Sequence, residues 1–157
     1  MIFPTLDGKT VAGKARTVPQ DLYGQYNVVL VAFTQYQQIN VDSWLPYLDK
    51  LKQEHQALDV FELPTLDKQS MSLVGRKMLD FWMYQGITDN DVRDHTITLY
   101  INLPDFMRAL NINDVSEIYV MLIDRHGTIY WQDTGAYAPE KYASLVEKVT
   151  TLVESAE

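Results

Sequence analysis

The stretch VMLIDRHGTIYWQDTGAYAPEKYASLV, Val120 to Val146, decides how the rest of the chain is read. It completes the apolar run Ile118–Ile123, which suits a strand buried on both faces. Asp124-Arg125-His126-Gly127 then forms a tight turn, with Gly127 free to take positive φ. Thr128–Trp131 returns as the antiparallel partner. From about Pro139 to Val153 a helix follows, with Tyr142, Leu145, Val146, Val149, Leu152 and Val153 at helical spacing. A hairpin followed by a terminal helix is the ending of an α/β sheet.

Working outward, the same switching between periods 2 and 3.6 continues upstream. Asn27–Phe33 is continuously apolar after its first residue and reads as a central strand. Asn40 can cap a helix from about Val41 to Gln56, with Val41, Trp44, Leu45, Leu48 and Leu51 on one stripe. Pro46 inside it removes one hydrogen bond and is expected to kink the axis. Leu58–Leu63 is a strand expected to stop at Pro64. Ser70–Gln85 reads as a second helix, burying Met71, Val74, Met78, Phe81 and Trp82 and ending at Gly86. Thr96–Ile101 alternates as a strand, and a short helix starts near Pro104, burying Phe106, Met107 and Leu110. The expectation is an α/β fold: one domain over residues 1–157, a central mixed β-sheet in a three-layer α/β/α sandwich. The first strands run parallel through right-handed crossovers, and the hairpin closes one side.

Composition excludes whole classes of function. Of 157 residues, 13 are Lys or Arg and 21 are Asp or Glu, so the net charge is −8 and no basic face for nucleic acid is expected. There is no cysteine, which removes disulfides, thiolate metal sites and every thiol nucleophile. The longest apolar run, Val28–Phe33, is far too short for a membrane helix. Asp7 and Lys9 lie within the first ten residues, unlike the apolar core of a signal peptide. A cytoplasmic protein without membrane insertion is the expectation.

Several local patterns reduce to ordinary structure. Gly8-Lys9-Thr10 lacks the upstream glycine of a phosphate loop and reads as a β-turn at Asp7-Gly8. Asp89–Asp94 is acidic, but Arg93 and Asp94 stand where a calcium loop needs a ligand and a glycine. His55, His95 and His126 have no metal-ligand spacing, and no G-x-S-x-G turn exists. No metal or cofactor is expected.

The order of elements over roughly residues 20–155, with the IDRHG hairpin and the insertion TLYINLPDFMRALNI (Thr98–Ile112), resembles the thioredoxin-like fold. The form resembled is the larger one shared by peroxiredoxins and thiol–disulfide resolvases. Phe3-Pro4, Leu6, Gly8, Val28–Phe33, Trp44, Thr98-Leu99-Tyr100, Phe106 and Leu110 carry a closer resemblance. So do Ile118-Tyr119-Val120, Asp124, Gly127, Trp131 and Gly135. Together they make the chain similar to the mitochondrial ATP-synthase assembly factors and their bacterial thioredoxin-like relatives.

That resemblance implies where a Cys-x-x-Cys pair would lie. Counting from Phe33 and from the kinking Pro46, its positions are held by Gln38 and Val41, neither of which forms a thiolate. The loop that carries a cis-proline in redox members reads Asp114-Val115-Ser116-Glu117, with no proline, so trans peptides are expected there. A binding groove is expected from Gln35, Tyr36, Gln37 and Gln38 facing Ser116 and Glu117. The first function class is therefore a redox-inactive protein- or peptide-binding module of assembly or chaperone type. The second is an enzyme using Asp42, Ser43 and Glu117 for acid–base work at the strand ends. The third is an antioxidant or sensor relative that has lost its cysteines and keeps only six methionines as oxidisable sulfur.

Overall fold

In the computed structural model, which describes residues 1–70 and 94–155, seven strands and three helices follow one another. The strands are β1 (Leu6–Thr10), β2 (Ala15–Val18), β3 (Tyr26–Ala32), β4 (Leu58–Asp67), β5 (Ile97–Ile101), β6 (Tyr119–Asp124) and β7 (Ile129–Thr134). The helices are α1 (Gln38–Glu54), α2 (Leu103–Leu110) and α3 (Pro139–Ser155). All strands join one sheet in the order β2-β1-β5-β4-β3-β6-β7. β3, β4 and β5 are parallel, as expected, and the β6–β7 hairpin closes one side. β6 runs antiparallel to β3, with Leu30 opposite Val120.

Each face of the sheet has its own core. Val28, Leu30 and Ala32 of β3 meet Val41, Trp44, Leu48 and Leu51 of α1 and Leu145 and Val149 of α3. On the other face Val29 and Val31 join Phe61, Leu63, Ile97, Leu99 and Phe106 and Leu110 of α2. Alternation along β3 thus feeds two helical layers, which is why that strand carries no polar residue after Asn27. Each fully buried Leu or Phe contributes roughly 1.5–3 kcal/mol of transfer free energy. α2 is capped by Asn102, whose Oδ1 accepts from the Asp105 N–H at 3.1 Å, and ends at Asn111 in the left-handed region. Gly127 has φ +90°, and a Cβ there would lie 2.7 Å from the Phe3 carbonyl oxygen.

Four expectations need correction. Asp7-Gly8 is not a turn: both residues lie in β1, which pairs with β2 on one side and β5 on the other. Gly8 is there for close approach, since a Cβ would meet the Thr98 carbonyl oxygen at 2.7 Å. β4 does not stop at Pro64 but runs through it to Asp67. The Glu62 N–H donates to the His95 carbonyl at 2.9 Å, Pro64 has no N–H to continue the ladder, and the β5 register resumes at Thr65 opposite Leu99. α1 starts at Gln38, three residues before the expected start at Val41, so Asn40 is not its cap. It runs unbroken past Pro46 to Glu54, two residues before the expected end at Gln56. The expected helix Ser70–Gln85 and the loop Asp89–Asp94 fall almost entirely on residues 71–93, outside the described residues.

Candidate functional site

The C-terminal end of β3 leads into α1 through Phe33, Thr34 and a short 3-10 turn, Gln35–Gln37. The buried Gln37 builds this junction. Its Oε1 accepts from the Phe33 N–H at 2.7 Å, and its Nε2 donates to the Val115 carbonyl at 2.8 Å. One side chain thus satisfies a strand-end donor and ties the junction to the loop before β6, leaving no buried amide atom unpaired. Gln37 closes the 3-10 turn as its capping-box residue with Thr34, and α1 starts directly after it without a side-chain cap of its own. Gln37 therefore does not line an open groove as expected. Phe33 packs edge-on against Phe106 and Tyr119, each at 6.2 Å.

Gln38 is the first residue of α1, and its Nε2 donates to Asp42 Oδ1 and to Glu62 Oε1, each at 2.9 Å. Glu62 is half-buried on β4. Burial pushes its carboxyl above the usual range; the Gln38 hydrogen bond works against this, and Asp42 and Asp49 add to the rise. Val41 is buried in the core beneath α1. The two residues expected at the positions of a cysteine pair have different surroundings: Gln38 bridges carboxylates, and Val41 is core.

The opposing loop is locally folded. Asp114 accepts from the Ser116 N–H and from Ser116 Oγ, both at 2.8 Å, which holds the Asp114 carboxyl below its ordinary range. The Ser116 hydroxyl is therefore turned onto its own loop. Glu117 is exposed and lies beside Gly135 and the Lys141 ammonium. The cis peptide bond among the described residues is Val18–Pro19, so residues 114–117 are trans as expected. Ser43 Oγ donates to the Asn40 carbonyl at 2.6 Å and accepts from the Tyr137 N–H at 2.9 Å. Asp42, Ser43 and Glu117 therefore engage three different neighbourhoods: Gln38, Tyr137 and the Gly135 turn.

Two features were missed by sequence reasoning. Tyr36 was expected at the surface and is 77% exposed, but Ile39, 74% exposed beside it, was not singled out. Its signal was position: it lies off the Val41–Trp44–Leu48–Leu51 stripe, so it cannot share that buried face. Glu62 was the other, signalled by a charge inside the otherwise apolar VFEL run. Gln35 is half-buried. Among the described residues no three His, Asp or Glu side chains gather as metal ligands. Nor is any helix of the described residues long and apolar enough to cross a membrane.

Comparison with known proteins adds a lineage to this geometry. A family model described as ATP10 protein matches residues 1–152. No curated protein matches. Solved structures match over nearly the whole chain. The Arabidopsis thaliana ScoI structure with copper bound is 13% identical, with 96% of this chain and 99% of that one covered and a TM-score of 0.61. BsSco, a member of the Sco family of cytochrome c oxidase assembly proteins, is 14% identical, covering 96% and 92%, at 0.58. The exposed lipoprotein thioredoxin Etrx1 of Streptococcus pneumoniae is 14% identical, covering 92% and 99%, at 0.58. At these identities the likeness establishes the thioredoxin-like fold.

Proposed function

This chain belongs to the ATP10 protein family, an ATP-synthase assembly family, and from that membership we propose that it is a redox-inactive thioredoxin-like module that binds a protein partner during assembly. The observation that carries the reading is the junction itself. Where a thiol pair would sit, the chain has Gln38 and Val41, and it contains no cysteine to substitute for them. Beside them, Tyr36 and Ile39 hold apolar surface in water at the start of a helix whose inward face is fully packed. Surface of this kind favours contact with another molecule, whereas the chemistry of sulfur is unavailable.

The partners of Asp42 and Ser43, Gln38 and Tyr137, favour this reading over acid–base chemistry at the same strand ends. The test pairs a negative and a positive arm. The purified chain is expected to give no insulin reduction and no hydroperoxide consumption above blank. In the native cell, deleting the gene is expected to reduce assembled ATP synthase on native gels, with the wild-type chain restoring it. Unchanged assembly together with no reproducible co-purifying protein would overturn the reading, as would thiol-type turnover.

A further inference from the structure

We propose that the outward face of the 3-10 turn and the first turn of α1, Tyr36 and Ile39 with Asp42 and the Gln38-linked Glu62, docks a cationic amphipathic segment of a partner protein. The inference rests on the protein-binding reading above and adds the chemistry of the partner.

Three observations converge on it. The apolar element is Tyr36 and Ile39, three residues apart and therefore neighbours on one side of the turn, 77% and 74% exposed. Covering them removes apolar area from water, and Tyr supplies that area at low conformational-entropy cost.

The second observation concerns the backbone. The Val115 carbonyl in the opposing loop is already taken by Gln37 Nε2. An extended strand added beside that loop meets an acceptor already engaged, which favours recognition by the side chains of the helix face over β-pairing.

The third is charge. Asp42 lies one turn beyond Ile39 and shares the Gln38 amide with Glu62. The groups acting on Glu62 through space are Asp42 and Asp49, both carboxylates. Among the described residues the ion pairs involve Asp59, Asp94 and Asp105, none of them at this junction. The loop that Gln37 binds at Val115 carries two further exposed carboxylates, Asp114 and Glu117. Lys141, near Glu117, directs its ammonium to the Thr134 and Ala136 carbonyls. An apolar pair next to the carboxylates of Asp42 and Glu62 is complementary to a segment whose leucine-like face carries Lys or Arg at its margin.

The test uses the full chain and fluorescence anisotropy with a labelled amphipathic peptide of leucine and lysine. A second peptide carries glutamate in place of each lysine. The lysine peptide is expected to bind, and the glutamate peptide not to. Y36S/I39S is expected to weaken binding about tenfold or more, the signature of truncated anchor side chains. D42N/E62Q is expected to weaken it several-fold and to flatten its salt dependence. The variant E147Q/E154Q, on exposed positions of α3, is the control for unspecific attraction and is expected to bind as wild type. Far-ultraviolet circular dichroism melts of each variant confirm folding. Equal binding of both peptides, or equal weakening by the α3 control, would overturn the proposal.

A photo-cross-linker at position 36 in the native cell separates the two levels of inference. A cross-linked partner segment rich in Lys or Arg supports the proposal. A partner captured elsewhere on the chain, an acidic segment, or a second copy of this chain overturns it while leaving the protein-binding reading standing. No partner by any route sinks that reading itself.

Discussion

Asp59 and Glu62 stand three residues apart on the same strand, and the fold treats them in opposite ways. Asp59 is buried and fully partnered: Lys52 Nζ lies 2.8 Å from one oxygen and His95 Nε2 2.9 Å from the other. Burial pushes its carboxyl up, but the His95, Lys52 and Val60 N–H contacts outweigh this and leave it below its ordinary 3.8. The rings of Phe61 and Tyr23 pack around His95 at 4.9 and 5.4 Å. Glu62 meets an amide and two further carboxylates, and its carboxyl is raised above 4.5. A charge matched by the Lys52 ammonium and hydrogen-bonded to His95 fastens α1, β4 and the start of β5 together. A charge left among like charges does no fastening, and its persistence beside exposed Tyr36 and Ile39 fits a surface kept for contact.

That contrast can be broken most sharply at Asp59. D59N leaves Lys52 without its counter-charge and is expected to lower stability at neutral pH by about 3 kcal/mol, measured by urea unfolding. A loss below about 0.5 kcal/mol would remove Asp59 as a fastening point. Because the folded carboxyl titrates below 3.8, the wild-type contribution is present above that pH and is lost as pH falls through the folded value. D59N is expected to abolish that acid-side decline.

Next in size is Q37L, which strips Phe33 N–H of its acceptor and frees the Val115 carbonyl. A cost of roughly 1–3 kcal/mol is expected, with faster amide hydrogen exchange at Phe33. Unaltered exchange there would mean that Gln37 does not hold the junction.

E62Q has the opposite sign. A raised folded pKa means that ionising Glu62 costs stability as pH rises from 4.5 through the folded value. Removing the charge is expected to stabilise the protein by up to about 1 kcal/mol at neutral pH, fading below pH 4.5, where wild-type Glu62 is already protonated. Destabilisation by E62Q at neutral pH would show that the charge is matched after all. The smallest effect is expected from Y36S/I39S, within about 0.5 kcal/mol in thermal unfolding, since both side chains stand in water.

The readable parts of the chain are those where period and burial coincide. β3, β6, the Asp124–Gly127 turn and α3 came through because a continuous apolar run or a clean helical stripe has one low-energy placement. The β1–β2 hairpin did not, because its strands are short and polar and are made strands by the pairing of β1 with β5 and of β2 with β1. At the junction, the apolar stripe of α1 made the burial of Val41 legible. The roles of the neighbouring residues were not. Gln37 looks as polar and as exposed as Gln35 in sequence, yet it is buried because two distant backbone groups, at Phe33 and Val115, converge on its amide.

By itself the sequence determined that this protein has no sulfur nucleophile, a strongly acidic surface and a sheet built on Val28–Ala32, since these follow from residue identity and local period alone. Only the tertiary structure decided which polar side chains became internal ties and which charges stayed unmatched. Gln37, Asp59 and Glu62 acquire their character from partners far along the chain, and a local pattern carries no information about groups that meet only when the sheet closes.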